Sequence, residues 1–200
     1  MRQQATRDLY AYWNGLRRQR AAPDRADIDP AAIRAVLSDT FMIEADRDAL
    51  FPLRLSGARV NALWARDLKG RSFLDLWGED SANVAAVLRT VMDGACPVVA
   101  GAQTRLAARA PVDVELLLLP LRHHGRTHAR VLGSLVTGDL PEWVGLIPVE
   151  RLELRSLRIL AGGQPAVDLP LMQRPPGGID RRARPTPTFR LIQGGLSGSS

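Results

Sequence analysis

The hydrophobic pattern begins with a helix. Between about Thr6 and Arg20, Leu9, Tyr12, Trp13 and Leu16 recur at helical spacing and make one apolar stripe. Arg7, Asn14, Arg17 and Arg18 occupy most of the rest. Such a helix cannot bury its stripe alone, so it docks on the following domain or on a second chain. Pro23 ends this region. Asp29 then suits an N-cap and Pro30 a first helical position, which predicts a short helix over 31–37.

The period next changes to two. Thr40 to Ala45 and Phe51 to Ser56 alternate as strands, with Asp46-Arg47-Asp48 as the turn of a hairpin. Gly57 breaks the second strand, and Val60 to Trp64 reads as a short helix. Gly70 serves a turn, and Ser72 caps another short helix to Trp77. Ser81 to Met92 is the clearest helix, with Val84, Val87, Leu88 and Val91 on its apolar face and Gly94 as its stop. Three strands follow, over Val98–Leu106, Val112–Leu121 and Arg130–Thr137. Their links are too short for parallel crossovers, so they form an antiparallel meander, the last two joined through His123-His124-Gly125-Arg126. Pro120 requires an edge or a bulge. Leu152 to Leu160 reads as a strand or a short helix. The pattern thus divides the chain into an N-terminal helical extension (1–36), a core domain (37–160) and a Gly/Pro/Arg-rich tail (161–200) whose composition predicts disorder.

Composition narrows the function. No run approaches 18 apolar residues, and the N-terminus lacks a signal-peptide core, so a cytoplasmic location without a membrane is expected. The single Cys96 excludes an intrachain disulfide and a thiolate zinc site. The net charge is +6, but half of it sits in residues 161–200, and all basic residues except Lys69 are arginine. That distribution disfavours nucleic acid as the partner, and leaves the Arg-rich tail as its only candidate contact.

The order is two strands, three short helices, a longer helix and three strands. It matches the PAS fold, an α+β arrangement of a five-stranded antiparallel sheet with helices on one face, here with an N-terminal amphipathic helix added. The block from Leu9-Tyr10-Ala11-Tyr12-Trp13-Asn14-Gly15-Leu16-Arg17 through Pro23, Arg25 and Asp27-Ile28-Asp29-Pro30 resembles the opening of a family of bacterial PAS-domain proteins, known chiefly from alphaproteobacteria and of largely unknown function. Arg54-Leu55-Ser56-Gly57, Asp67-Leu68-Lys69-Gly70-Arg71-Ser72-Phe73 and Leu76-Trp77 are similar to the same family. Ala65-Arg66 departs from it, since many PAS sequences carry glycine at that turn. The resemblance implies sensing or protein interaction, often without an attached output domain, and brings no catalytic residue.

Candidate chemistry follows from the cavity that such a fold encloses. Trp64, Phe73, Trp77, Leu88 and Met92 are its candidate lining, or plain core. Arg54, Arg105 and Glu115 are polar strand positions that face either way, Arg105 and Glu115 being candidates for the lining. Haem is disfavoured because Ser81 to Met92 contains no histidine and His123, His124 and His128 surround a hairpin turn. Flavin photochemistry of the LOV type is disfavoured because Cys96 lies after the long helix, outside the required motif. No phosphate loop, metal set or nucleophile–base pair is present in the sequence, so no cofactor and no enzymatic activity are expected. The leading reading is a PAS signalling module acting by protein–protein interaction, with a partner or a homodimer held through Leu9, Tyr12, Trp13 and Leu16, and open to tuning by a small ligand. The alternatives are a small-molecule sensor with a preformed apolar pocket and a nucleic-acid-associated regulator.

Overall fold

The computed structural model describes residues 1–45, 50–107, 109–123, 126–138, 141–160 and 167–169, with the backbone alone for 123, 126–129 and 167–169. The turn expected at Asp46-Arg47-Asp48, the His124-Gly125 tip and most of the 161–200 tail lie outside them.

The helices are α1 (Gln4–Arg17), α2 (Ala58–Leu63) and α3 (Ser81–Gly94). The strands are β1 (Thr40–Glu44), β2 (Leu53–Ser56), β3 (Val98–Arg105), β4 (Asp113–His123), β5 (Arg126–Thr137), β6 (Arg151–Ile159) and β7 (Val167–Leu169). They form one sheet in the order β2-β1-β5-β4-β3-β6-β7, each neighbouring pair antiparallel. The first five strands are the sheet expected from the sequence. The other two enlarge it to seven, because 151–159 is a strand rather than a helix.

The sequence of β6 explains that outcome. Leu152 and Leu154 alternate inward, the register slips by one residue beside Gly101 of β3, and Leu157 and Ile159 then continue on the same inner side. A slipped alternation reads ambiguously by eye but fits a bulged strand. Pairing runs from Val98 opposite Ile159 to Arg105 opposite Arg151.

Both faces of the sheet are covered. On the inner face α2, α3 and the 3-10 turn Phe73–Leu76 pack over Phe41, Ile43, Val98, Ala100, Leu116, Leu118, Val131 and Leu135. On the outer face α1 and residues 22–36 pack over Met42, Val99, Leu117, Leu119, Leu121 and Leu132. Successive residues of one strand point to opposite faces, so the unbroken run Leu116–Leu119 is accounted for by a strand buried on both sides.

Local deviations have local causes. Residues 31–37 do not form the expected α-helix. Asp29 does cap there, its Oδ1 accepting from Ala31 N at 2.9 Å. The bonds that follow span three residues, Ala32 N to Asp29 O and Val36 N to Ile33 O among them. A segment this short gains too little to propagate an α-helix and settles into tight turns. Pro120 is tolerated because β3 stops opposite Leu118, so the proline ring lies beside a vacated stretch of the β4 edge. That stretch is filled by Pro23, whose carbonyl accepts from Arg122 N at 2.9 Å. Ser72 caps its 3-10 turn as expected, accepting from Leu74 N. Ala65, standing where many PAS sequences have glycine, holds φ at +48°, so the turn keeps its left-handed backbone despite the methyl group.

Candidate functional site

The candidate cavity residues divide between the two faces. Trp64, Phe73, Trp77, Leu88 and Met92 do converge on the inner face, all in one core and none more than 3 % exposed. Phe73 stacks on Phe41 with ring centres 5.0 Å apart and meets Trp77 at 5.8 Å. Alpha-helix α3 supplies Val84, Leu88, Val91 and Met92 from one side, as its spacing demands. One polar atom in this core is unsatisfied: Trp77 Nε1 is buried without a hydrogen-bond partner. A buried donor left so costs about 1–3 kcal/mol, unless something accepts from it.

Arg105 and Glu115 do not line that space. Val114 and Leu116 point inward, so Glu115 between them points to the outer face. There its carboxylate accepts from the backbone N–H groups of Arg2 at 2.6 Å and Gln3 at 3.1 Å, just ahead of α1. Arg105 shares the outward parity of Val99 and pairs with Glu153 at 2.6 Å. Arg54 is also turned to solvent, paired with Glu44.

The N-terminal stripe is used within the chain. Leu9 and Trp13 are fully buried against the sheet, and Trp13 Nε1 donates to Pro120 O at 2.9 Å. Arg17 lies over the Trp13 ring, 5.6 Å from its centre. Tyr12 and Leu16 stay partly exposed, and the Tyr12 hydroxyl accepts from Asp29 N at 2.8 Å. Of the two uses expected for this stripe, docking on its own domain is the one observed.

A family model described as a PAS domain matches residues 1–136. The chain belongs to that family. A comparison with curated proteins finds no match. PAS domains are regulatory and sensory modules, so this places the protein in signalling. The match begins at α1, consistent with a helix that completes the PAS domain, and ends at the last residues of β5, before β6. Among the described residues no helix is long and apolar enough to cross a membrane, and no group of three or more His, Cys, Asp or Glu side chains is placed to hold a metal ion.

The outer face of this PAS domain holds a second feature, invisible without the pairing of β6. A cleft of about 740 Å3 is floored by β3, β4 and β6 beside the first residues of the chain. Polar side chains in and beside it are linked across three strands, with Gln103, Asp113 and Arg155 in its lining and Glu153, Arg105 and Arg151 beyond it. Glu153 holds Arg105 at 2.6 Å and Arg155 at 2.7 Å, with Arg151 at 3.6 Å. Arg155 Nε donates to Gln103 Oε1 at 3.0 Å, and Gln103 Nε2 donates to Asp113 Oδ1 at 2.8 Å. The hydrogen bond and charge of Arg105 hold the Glu153 carboxyl below its ordinary value, against the burial that would raise it. Asp27 is lowered chiefly by its hydrogen bond to Arg20. For Glu44, burial is the largest influence and raises the value, but Arg54 and Arg130 together outweigh it and the net shift is down.

These three groups give a prediction for acid. A carboxyl whose folded pKa lies below its unfolded value contributes stability that is present above the unfolded value and disappears as pH falls toward the folded one. The urea midpoint is therefore expected to fall between roughly pH 5 and 3, and Glu153→Gln to flatten part of that fall. Equal midpoints at pH 5 and pH 3 would contradict the assignment.

Proposed function

We propose that this PAS domain is a cytoplasmic regulatory module that acts by contact with a protein partner, without a resident haem or flavin. The observation that carries this reading is the state of the inner core. Five large side chains that would have to frame a ligand pocket instead pack on one another. Alpha-helix α3 presents Val84, Leu88, Val91 and Met92 to that space and has no histidine in its sequence. The open cleft over β3, β4 and β6 lies outside the inner core, as does a second cleft lined by Gly15, Leu16, Arg18, Gln19, Arg20 and Asp27 at the end of α1. A contact surface on the exterior fits this better than an internal sensor.

Leu9 and Trp13 are consumed by the sheet, so a partner held through α1 would meet Tyr12 and Leu16 rather than the whole stripe. A second reading rests on Trp77. Its unpaired Nε1 would suit a small ligand carrying a hydrogen-bond acceptor, provided the aromatic core opens to admit one.

Native mass spectrometry of the full chain, joined to size measurement in an extract of its own cells, tests both. The contact reading expects the bare chain mass after purification and elution in the extract above monomer size. A stoichiometric small molecule carried through purification, with elution as a monomer, would replace it with the sensor reading.

A further inference from the structure

We propose that α1 exchanges between two copies of this chain, each copy's helix docking on the outer face of the other. This rests on the contact reading and names a second copy as the partner. The deciding feature is the hinge. A four-residue turn from Arg17 to Arg20 joins α1 to the rest of the chain, closed by Arg20 N donating to Arg17 O at 2.8 Å. Arg18 is its second residue, at φ 51° and ψ −114°. That is the corner of a type II′ turn, which glycine fills and a residue with a Cβ resists. The hinge residues Arg18, Gln19 and Arg20 also border the cleft at the end of α1, an open space of about 780 Å3. A short hinge under strain favours exchange of an end element between identical chains. Opening the turn returns Arg18 to ordinary extended backbone, and a dimer gains that relief at both hinges.

The chain on either side of the hinge is held firmly. On the domain side Ala22 is fully buried, Pro23 O accepts from Arg122 N at 2.9 Å, and Asp24 forms a β-bridge with Arg122. On the other side α1 is an unbroken helix of 14 residues. Movement is thereby confined to residues 18–21, which reach about 13 Å when extended. Arg18, Gln19 and Ala21 are exposed, so the hinge can straighten without unpacking either core.

The seat of α1 needs no change. In a second copy Leu9 and Trp13 would fill the same space, Trp13 Nε1 would donate to Pro120 O, and Glu115 would accept from Arg2 and Gln3 N–H. Exchange lets a second copy use the whole apolar stripe, of which any other partner would find only Tyr12 and Leu16. The seam also has a weak point. Thr6 Oγ1 on α1 and Ser134 Oγ, two residues beyond Leu132 on the outer side of β5, are fully buried without a hydrogen-bond partner. Both hydroxyls regain water when α1 lifts, which lowers the cost of the open state through which exchange must pass.

The test refolds the full chain from urea at low and high concentration and weighs the products by light scattering after size exclusion. Wild type is expected to give monomer at low concentration and a dimer at high concentration. Arg18→Gly removes the strain from the closed turn and should weaken dimerisation at least about tenfold, or 1.4 kcal/mol. Arg18→Pro forbids the positive φ and should shift the chain toward dimer. Crosslinking then locates the helix. Gln3 Nε2 lies 3.3 Å from where a Cβ on Gly138 would sit, so Gln3→Cys with Gly138→Cys, on a Cys96→Ser background, suits a short bismaleimide. The dimer fraction should yield covalent pairs on a denaturing gel, and the monomer fraction single chains. Single chains from the dimer fraction, a wild type that is monomeric at every concentration, or equal dimerisation of wild type and Arg18→Gly would each overturn the proposal. A monomer after purification with elution above monomer size in the extract would remove only the exchange; monomeric elution there with a carried ligand would remove the contact reading itself.

Discussion

Replacing Trp13 with alanine is expected to lower the unfolding free energy by about 3–5 kcal/mol, the range for deleting a buried aromatic side chain. The indole is fully enclosed between α1 and the sheet, so truncation leaves a void that the neighbouring leucines cannot fill without shifting. It also removes the donor to Pro120 O, a carbonyl at a place where β3 has already ended. Trp13→Phe separates the two effects. It keeps most of the packing and loses the hydrogen bond, so a smaller loss is expected. Urea denaturation of the wild type and both variants measures the series. A loss near zero for Trp13→Ala would mean that α1 is not seated on the sheet in solution.

Gly57→Ala is expected to be costly for the addition of a single methyl group. Gly57 joins β2 to α2 with an ordinary backbone, φ −71°, so conformational freedom is not the issue. Space is. A Cβ there would lie against Ser38 O and within 2.5 Å of Leu37 O, both main-chain atoms. Main chain cannot rotate away as a side chain can, and Gly57 N is itself bonded to Thr40 O at 2.8 Å, fixing the approach. Overpacking of this kind costs about 1–3 kcal/mol, and α2 would have to move away from the 3-10 turn at Leu37–Asp39 to relieve it. Gly101→Ala makes the useful contrast, because the neighbour there is the Ser156 hydroxyl, which can turn aside. A melting temperature for Gly57→Ala equal to that of Gly101→Ala would contradict the argument.

The sheet, its helices and their order were legible in the chain because most elements obey a single period. Ser81–Gly94 and Thr40–Glu44 follow from apolar spacing alone. The segment at 31–37 misled because a good capping residue signals where a helix can start, not whether enough residues follow to propagate it. The site was less legible. Trp64, Phe73, Trp77, Leu88 and Met92 were found because they are large and apolar, which marks a core whether or not it is hollow. Arg105 and Glu115 read as facing either way, since assigning a face depends on the parity of the whole strand and on which neighbours cover it. Nothing in the sequence marks Glu153 and Arg155 as a group. Their connection to Gln103 and Asp113 exists only once β6 lies beside β3, a contact between residues some fifty positions apart.

Strand β6 also bears on how this domain can be cut. The family match stops at residue 136, and a fragment trimmed to that limit would lose Val149 and Leu152, both buried in the inner core. It would also leave Val98–Arg105 as a bare edge of eight residues rich in alanine and valine, with its hydrogen-bonding groups facing water. An open, flat edge of this kind invites strand-to-strand association between molecules. The boundary that suits the family is therefore the wrong place to divide this particular chain.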